Sequence, residues 1–382
     1  MTPAAPLALY IHWPFCVAKC PYCDFNSHVR EEVDQEAWRD ALLRDLAHEA
    51  ALLPGRTLGS IFFGGGTPSL MPPATIAALI DAAAGHWRFD EAIEISMEAN
   101  PNSAEAARFR QAADAGINRL SLGLQALDDA ALRFLGRAHD LSEGLAALDA
   151  AQACVDRVSI DLIYARPGQS LADWDSELRR ALGFGTDHLS LYQLTIEPGT
   201  RFETDVRRGA FTPADADHAA DLFELTRAMT GAARRPAYEV SNHAAPGQES
   251  RHNLAYWRYA DYAGIGPGAH GRRGGTATAR HRKPENWMRA IERNGHGLVE
   301  ERLLSPAEQA GEALMMGLRL ADGVDLRAIA ARTGLAPDAL IDEAAVARLA
   351  GHGLVTRAGD RLATTPAGML LLDGILAEIV AV

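Results

Sequence analysis

The sequence predicts an α/β fold with a small helical module at its C-terminal end, and three observations carry that expectation. Short apolar runs rich in β-branched and aromatic residues recur through the first half, amphipathic helical patterns separate them, and after Ser305 helices dominate. A chain of 382 residues with 48% hydrophobic content is long enough for two domains and a real core.

The strand candidates, in order, are residues 7–11, 60–63, 94–98, 119–124, 158–163 and 189–194. The clearest intervening helix is 31–53, where Trp38, Leu42, Leu46, Ala50 and Leu53 recur at spacings of three or four. Alternation of this kind implies right-handed βαβ units and a parallel sheet. An open doubly wound sheet and a partial (β/α)6 TIM-like barrel both satisfy it. Polar groups cluster at the carboxyl ends of successive strands: Cys16, Gly64 to Thr67, Glu98 with Asn100, and Gln125; Asp161 lies within the fifth. Both architectures place their sites there.

A helix over 214–233 precedes a Gly- and His-rich stretch, 238–283, that reads as connecting and site-forming loops. Ser305-Pro306 with Glu308 signals a helix start, and helical patterns follow through 320, 326–333 and 337–349. Residues 354–356 and 361–364 then read as a hairpin, making a small winged-helix-like module. The expected domains are 1–236, a segment 237–304 of connecting and site loops, and 305–382.

Lys+Arg 37 against Asp+Glu 50 leaves a net charge of −13, which argues against nucleic acid as a partner. No charged region precedes the short apolar N-terminal run, and the longest apolar candidate span, 369–382, is interrupted by Asp373 and Glu378. A cytoplasmic protein that is not integral to a membrane is expected. Three of the four cysteines fall within eight positions, which in a reducing compartment suggests metal binding.

Cys16, Cys20 and Cys23 have the spacing C-x3-C-x2-C in a loop after a strand. Structural zinc takes four closed ligands, whereas a [4Fe-4S] cluster on three thiolates keeps one iron open to an outside molecule. Cys154, more than a hundred residues away, is expected to be buried and inert.

This triplet, with Tyr22 before its third cysteine, resembles the signature of the radical S-adenosylmethionine superfamily. Tyr10-Ile11-His12-Trp13-Pro14-Phe15-Cys16, Gly64-Gly65-Gly66-Thr67-Pro68-Ser69, Glu98-Ala99-Asn100-Pro101 and Asp161-Leu162-Ile163-Tyr164 resemble the branch related to oxygen-independent coproporphyrinogen III oxidase. The resemblance implies the partial (β/α)6 barrel, followed by that branch's winged-helix-like C-terminal domain. It implies a [4Fe-4S] cluster on Cys16, Cys20 and Cys23, and S-adenosylmethionine against Gly65, Gly66, Thr67, Glu98 and Tyr10. Gln125, Arg137 and Asp161 match positions that contact a second S-adenosylmethionine; a structural Arg–carboxylate pair is the competing reading of Arg137 and Asp161.

Two features resemble the heme chaperones of this branch. Phe25 stands where the oxidase pattern has a fourth cysteine, and His252-Asn253-Leu254-Ala255-Tyr256-Trp257 is similar to the chaperones' HNxxYW motif. That likeness implies His252 as a heme ligand, with Tyr256 and Trp257 offering apolar faces; read alone, a loop histidine is a surface or packing residue. His243, His270 and His281 are further axial candidates, and Arg272, Arg273 and the stretch Arg280-His281-Arg282-Lys283 are either propionate partners or a solvated loop.

The function so implied is a heme chaperone serving apo-hemoproteins, membrane-bound respiratory enzymes among them, with a homodimer as one assembly it allows. The rival is the oxidase activity itself, oxidative decarboxylation of coproporphyrinogen III. A third reading, a DNA-binding winged helix with a redox-sensing metal site, is disfavoured because 337–349 holds Asp338, Asp342 and Glu343 against Arg348.

Overall fold

The computed structural model describes residues 5–30 and 32–382. Six parallel strands form the centre of its main sheet: β1 (Leu7–Trp13), β2 (Thr57–Gly65), β3 (Arg88–Ala99), β4 (Arg119–Gln125), β5 (Arg157–Tyr164) and β6 (His188–Gln193). They lie side by side in chain order, each parallel to the next. A doubly wound sheet reverses its strand order between successive βα units, and these six do not, which is the order of a partial barrel. Helices cover the sheet, and its strands read as nearly continuous buried runs for that reason.

The first long helix is Gln35–Leu52, capped by Asp34, whose carboxylate accepts from the Ala37 amide at 3.0 Å. The expected helix start at Glu31 lies outside the described residues. Trp38, Leu42 and Leu46 carry its buried face into the core.

The stretch 238–283 is not the set of loops its composition suggests. After β7 (Asn242–Ala244) and the helix Arg251–Trp257 come β8 (Tyr262–Ile265), β9 (His270–Arg273), β10 (Thr276–Arg280) and, beyond it, β11 (Leu298–Leu303). β7 pairs antiparallel with β6, and β8 pairs parallel with β1, so an eleven-stranded sheet runs β11-β10-β9-β8-β1-β2-β3-β4-β5-β6-β7. Polarity misleads here because it is internal. Arg280 is buried and donates to Asp45 at 2.7 Å and Glu49 at 2.9 Å, and Arg273 reaches Glu49 at 3.3 Å.

The C-terminal module begins with a capping box, Ser305 and Glu308, on the helix Pro306–Gly317. The helices Leu326–Thr333 and Glu343–Gly351 follow, and the pattern over 337–349 is broken at its start by a short 3-10 turn, Pro337–Ala339. The expected hairpin, β13 (Val355–Ala358) with β14 (Arg361–Thr364), gains a third strand, β12 (Val324–Asp325). The apolar end of the chain forms the helices Pro366–Met369 and Leu372–Ile379, which close a separate core around Leu314, Leu326, Leu340 and Leu362. No helix among the described residues is long and apolar enough to cross a membrane.

Candidate functional site

The site begins where β1 and β2 end. Just past β1, Phe15–Cys16 pairs with His28–Val29 and closes the cysteine-bearing loop. The glycine turn after β2 folds onto that loop: the Gly66 amide donates to the Trp13 carbonyl at 2.7 Å and the Thr67 amide to the Phe15 carbonyl at 2.8 Å. Gly65 has φ +114°, and a Cβ there would lie 2.6 Å from the His12 ring. On Gly66 it would lie 2.7 Å from the Phe15 carbonyl oxygen and 3.0 Å from the Cys16 Sγ, so bare backbone is required at both positions.

Ten of the twelve expected site residues line one cavity of about 550 Å³ at the carboxyl ends of the strands: Cys16, Cys20, Cys23, Gly65, Gly66, Thr67, Glu98, Gln125, Arg137 and Asp161. A chain of hydrogen bonds joins two of the thiols. Thr67 Oγ1 donates to Cys16 Sγ at 3.4 Å, Asn100 Nδ2 to Thr67 Oγ1 at 3.1 Å, and Arg137 to both Asn100 Oδ1 at 2.7 Å and Cys20 Sγ at 3.4 Å. Arg137 makes no ion pair among the described residues, so the structural Arg–carboxylate pair is not what it forms; Cys20 and Asn100 lie closer to its guanidinium. Burial pushes the Cys16 and Cys23 thiols up, and a metal binding them displaces protons.

Of the four acids lining the cavity, Glu98 and Asp161 stand on the strands, and neither makes an ion pair among the described residues. Glu98 accepts only the Gly65 amide, at 3.1 Å, and burial, reinforced by the Asp161 charge, pushes its carboxyl up to about 8. Asp161 accepts from Ser121 Oγ at 3.0 Å and is pushed up to about 6, chiefly by burial. Gln125 adopts φ +67°, a left-handed conformation unusual for a side-chain-bearing residue, and its buried Oε1 lacks a protein partner. Unmatched acids and an orphan acceptor suit a ligand that brings a positive charge.

The donor set also fits a cluster. Among the described residues no three His, Cys, Asp or Glu side chains converge tightly enough for a single ion, whereas three thiols share one cavity wall, two of them already accepting hydrogen bonds. Cys154 follows the helix Leu141–Gln152 and precedes β5, at the opposite end of the sheet, packed against the core but half-buried where full burial was expected.

Tyr10 lines a second cavity, about 530 Å³, that shares Asp24, Phe25, Gly65 and Glu98 with the first. Its hydroxyl meets His12 Nδ1 at 3.0 Å, while His12 Nε2 meets the Asn26 carbonyl at 2.9 Å; burial brings this imidazole down to about 4. His252 lines neither cavity. It sits on a helix, not a loop, with Nδ1 3.0 Å from Ser60 Oγ and Nε2 3.0 Å from the Tyr256 hydroxyl, and burial brings it down to about 3. Both ring nitrogens are engaged with hydroxyls in this structure. Arg272, Arg273 and Arg280 are likewise buried and engaged with protein groups, which leaves Arg282 and Lys283 as the exposed cations of that stretch.

Several contributors were missed in the sequence. Glu105 holds the turn by accepting from Ser69, from the Asn100 amide at 3.0 Å and from Asn102 at 2.7 Å, and only the Asn102 cap hints at it. Tyr192, Phe223 and Val240 complete the far wall of the first cavity. Tyr192 is 43% exposed within an otherwise buried strand, the one signal that marks it.

Residues 10–181 match the family model of the radical SAM superfamily, and residues 304–371 match the HemN C-terminal domain. The heme chaperone HemW of Escherichia coli is 38% identical over 98% of both chains. The mitochondrial radical S-adenosyl methionine domain-containing protein 1 of Bos taurus is 41% identical over 83% of this chain and 74% of its own length. Among solved structures, coproporphyrinogen III oxidase (HemN) from Escherichia coli, a radical SAM enzyme, superposes with a TM-score of 0.82 at 25% identity, over 98% of this chain and 90% of that one.

Proposed function

This chain belongs to the radical S-adenosylmethionine superfamily and, within it, to the family of the heme chaperone HemW, and from that premise we propose that it binds heme and hands it to apo-hemoproteins. Membership brings a [4Fe-4S] cluster and S-adenosylmethionine as cofactors. The cluster, when bound, supplies a single electron to the sulfonium of S-adenosylmethionine.

In this reading Cys16, Cys20 and Cys23 hold the cluster, and Thr67 and Arg137 steady two of its sulfurs. Gly65, Gly66, Thr67 and Glu98 receive the methionine end, with Tyr10 behind Glu98 and Gln125, Arg137 and Asp161 lining the rest of the cavity. Glu98 gives up its proton as the cationic amino group arrives, trading a buried neutral acid for an ion pair. His252 acts as a strut, holding Tyr256 in the wall of the second cavity. The protein works in the reducing cytoplasm, where its clients include membrane-bound enzymes.

The observation that carries the chaperone reading is the second cavity, large and aromatic, adjoining the thiol-lined one through Phe25 rather than through a fourth thiol. Anaerobic protein reconstituted with iron and sulfide is expected to show a cluster absorbance that is lost on replacing Cys16, Cys20 or Cys23 and kept in Cys154→Ala. Loaded with heme, it is expected to convert an apo-hemoprotein to its holo form. Decarboxylated product from coproporphyrinogen III, reductant and S-adenosylmethionine would overturn the choice in favour of the oxidase.

A further inference from the structure

The fold dictates which ring nitrogen of His12 carries the proton. The residue stands buried on β1, with its ring against the bare Gly65 backbone and one bond on each nitrogen. The Asn26 carbonyl can only accept, so the nitrogen 2.9 Å from it, Nε2, is the protonated one. That carbonyl belongs to a fixed segment, since Asn26 Nδ2 donates to the Pro267 and Arg282 carbonyls at 2.9 Å each. Burial keeps the imidazole neutral, which leaves Nδ1 bare, and the Tyr10 hydroxyl 3.0 Å away is therefore the donor to it.

A phenol has one proton to give. Tyr10, Phe62 and Ser96 are in register across β1, β2 and β3, so Tyr10 shares a face of the sheet with Glu98, two residues beyond Ser96. The Tyr10 ring lies over Gly64, where a Cβ would come within 2.8 Å of its Cε2, and it lines the second cavity together with Glu98. Burial and the Glu98 charge hold the phenol up, so the hydroxyl keeps its proton. Glu98 nonetheless receives only the Gly65 amide, and the Tyr10 proton goes to His12.

We infer that His12 is a positioning residue of the S-adenosylmethionine seat: by taking the Tyr10 proton it keeps Glu98 without a hydroxyl donor and open to the ligand's ammonium group. The inference rests on the placement of the methionine end at Glu98 and adds the residue that keeps Glu98 available to it. A carboxyl already satisfied by a hydroxyl would have to give up that bond as the ammonium arrived, and affinity would fall by the difference.

S-adenosylmethionine binding to cluster-reconstituted protein is measured by anaerobic calorimetry in a double-mutant cycle. His12→Leu, which releases the Tyr10 hydroxyl, is expected to weaken binding about tenfold. In the Tyr10→Phe background, which has no hydroxyl to release, the same substitution is expected to change nothing further. The analogue lacking the amino group is expected to bind wild type and His12→Leu alike, and His12→Gln, whose amide can donate to Asn26 and accept from Tyr10, to retain most of the affinity. An equal loss in both Tyr10 backgrounds makes His12 merely structural and overturns the inference, as does full affinity in His12→Leu. Nitrogen NMR of histidine-labelled wild-type protein tests it without any variant: a neutral ring protonated on Nε2 is expected for His12, and protonation on Nδ1 overturns the inference. Wild-type protein that binds no S-adenosylmethionine, or Glu98→Gln that binds it unchanged, overturns the seat itself, a result distinct from these.

Discussion

Two buried polar regions of this protein are built on opposite terms. Around Asp45 every charge is answered: its carboxylate accepts from Arg280 at 2.7 Å, from the Gly266 and Gly297 amides at 3.1 Å each, and from the Trp287 indole at 3.2 Å. Glu49 beside it accepts from Arg280 and Arg273. Around Glu98 a half-buried carboxyl receives one amide and no ion pair among the described residues, and Asp161 nearby, though it accepts from Ser121 at 3.0 Å, has no ion pair either. A matched buried charge holds the scaffold, and an unmatched one waits for a ligand.

That contrast breaks first at Asp45. Asp45→Ala leaves the buried Arg280 guanidinium with Glu49 as its one remaining acid and the Gly266 and Gly297 amides without an acceptor, and is expected to cost about 3–5 kcal/mol in denaturant-induced unfolding. Glu98→Gln is expected to cost little, because the carboxyl it replaces is already neutral over much of the working range. An equal loss in the two variants would erase the distinction.

The pH response sharpens it. Glu98 has a folded-state value raised to about 8 from 4.5, so its contribution is fully present below 4.5 and is lost as pH rises towards 8. The metal-free protein is therefore expected to lose stability across that interval, by at most about 1.4 kcal/mol per pH unit for one such group. In Glu98→Gln the slope is expected to shrink to the Asp161 window, from 3.8 to about 6. A smaller effect is expected of Ser121→Ala, which removes the hydroxyl 3.0 Å from Asp161 for about 1 kcal/mol and moves that acid's titration further up. Smallest is the proton count: S-adenosylmethionine binding at pH 7 is expected to release a fraction of a proton, read as buffer-dependent enthalpy in calorimetry, and no dependence would mean that Glu98 stays protonated.

The difference between the regions also explains what the sequence discloses. The six central strands and the thiol-lined cavity are legible because each motif is local: the cysteines fall within eight residues, and Gly65, Glu98, Gln125 and Asp161 sit in or at the ends of readable strands. Strands β8 to β10 are illegible because glycines and histidines interrupt their short runs, and the arginines in two of them are neutralised by acids more than two hundred positions away. The surroundings of His252 are half legible: Tyr256 stands in the same motif, whereas the Ser60 hydroxyl that meets the other ring nitrogen lies 192 positions upstream. The second cavity gathers the beginning of the chain and residues 256–282, which no window along the sequence brings together.

Asn26 bears on how the molecule is made. Its amide fastens the end of the cysteine loop to carbonyls 241 and 256 positions downstream, and β1 itself leans on β8. A nascent chain emerging from the ribosome has its thiols early and the brace for them late. Iron and sulfide delivery therefore belongs after synthesis has passed Arg282, and a truncated product would carry the three cysteines yet leave them unshaped.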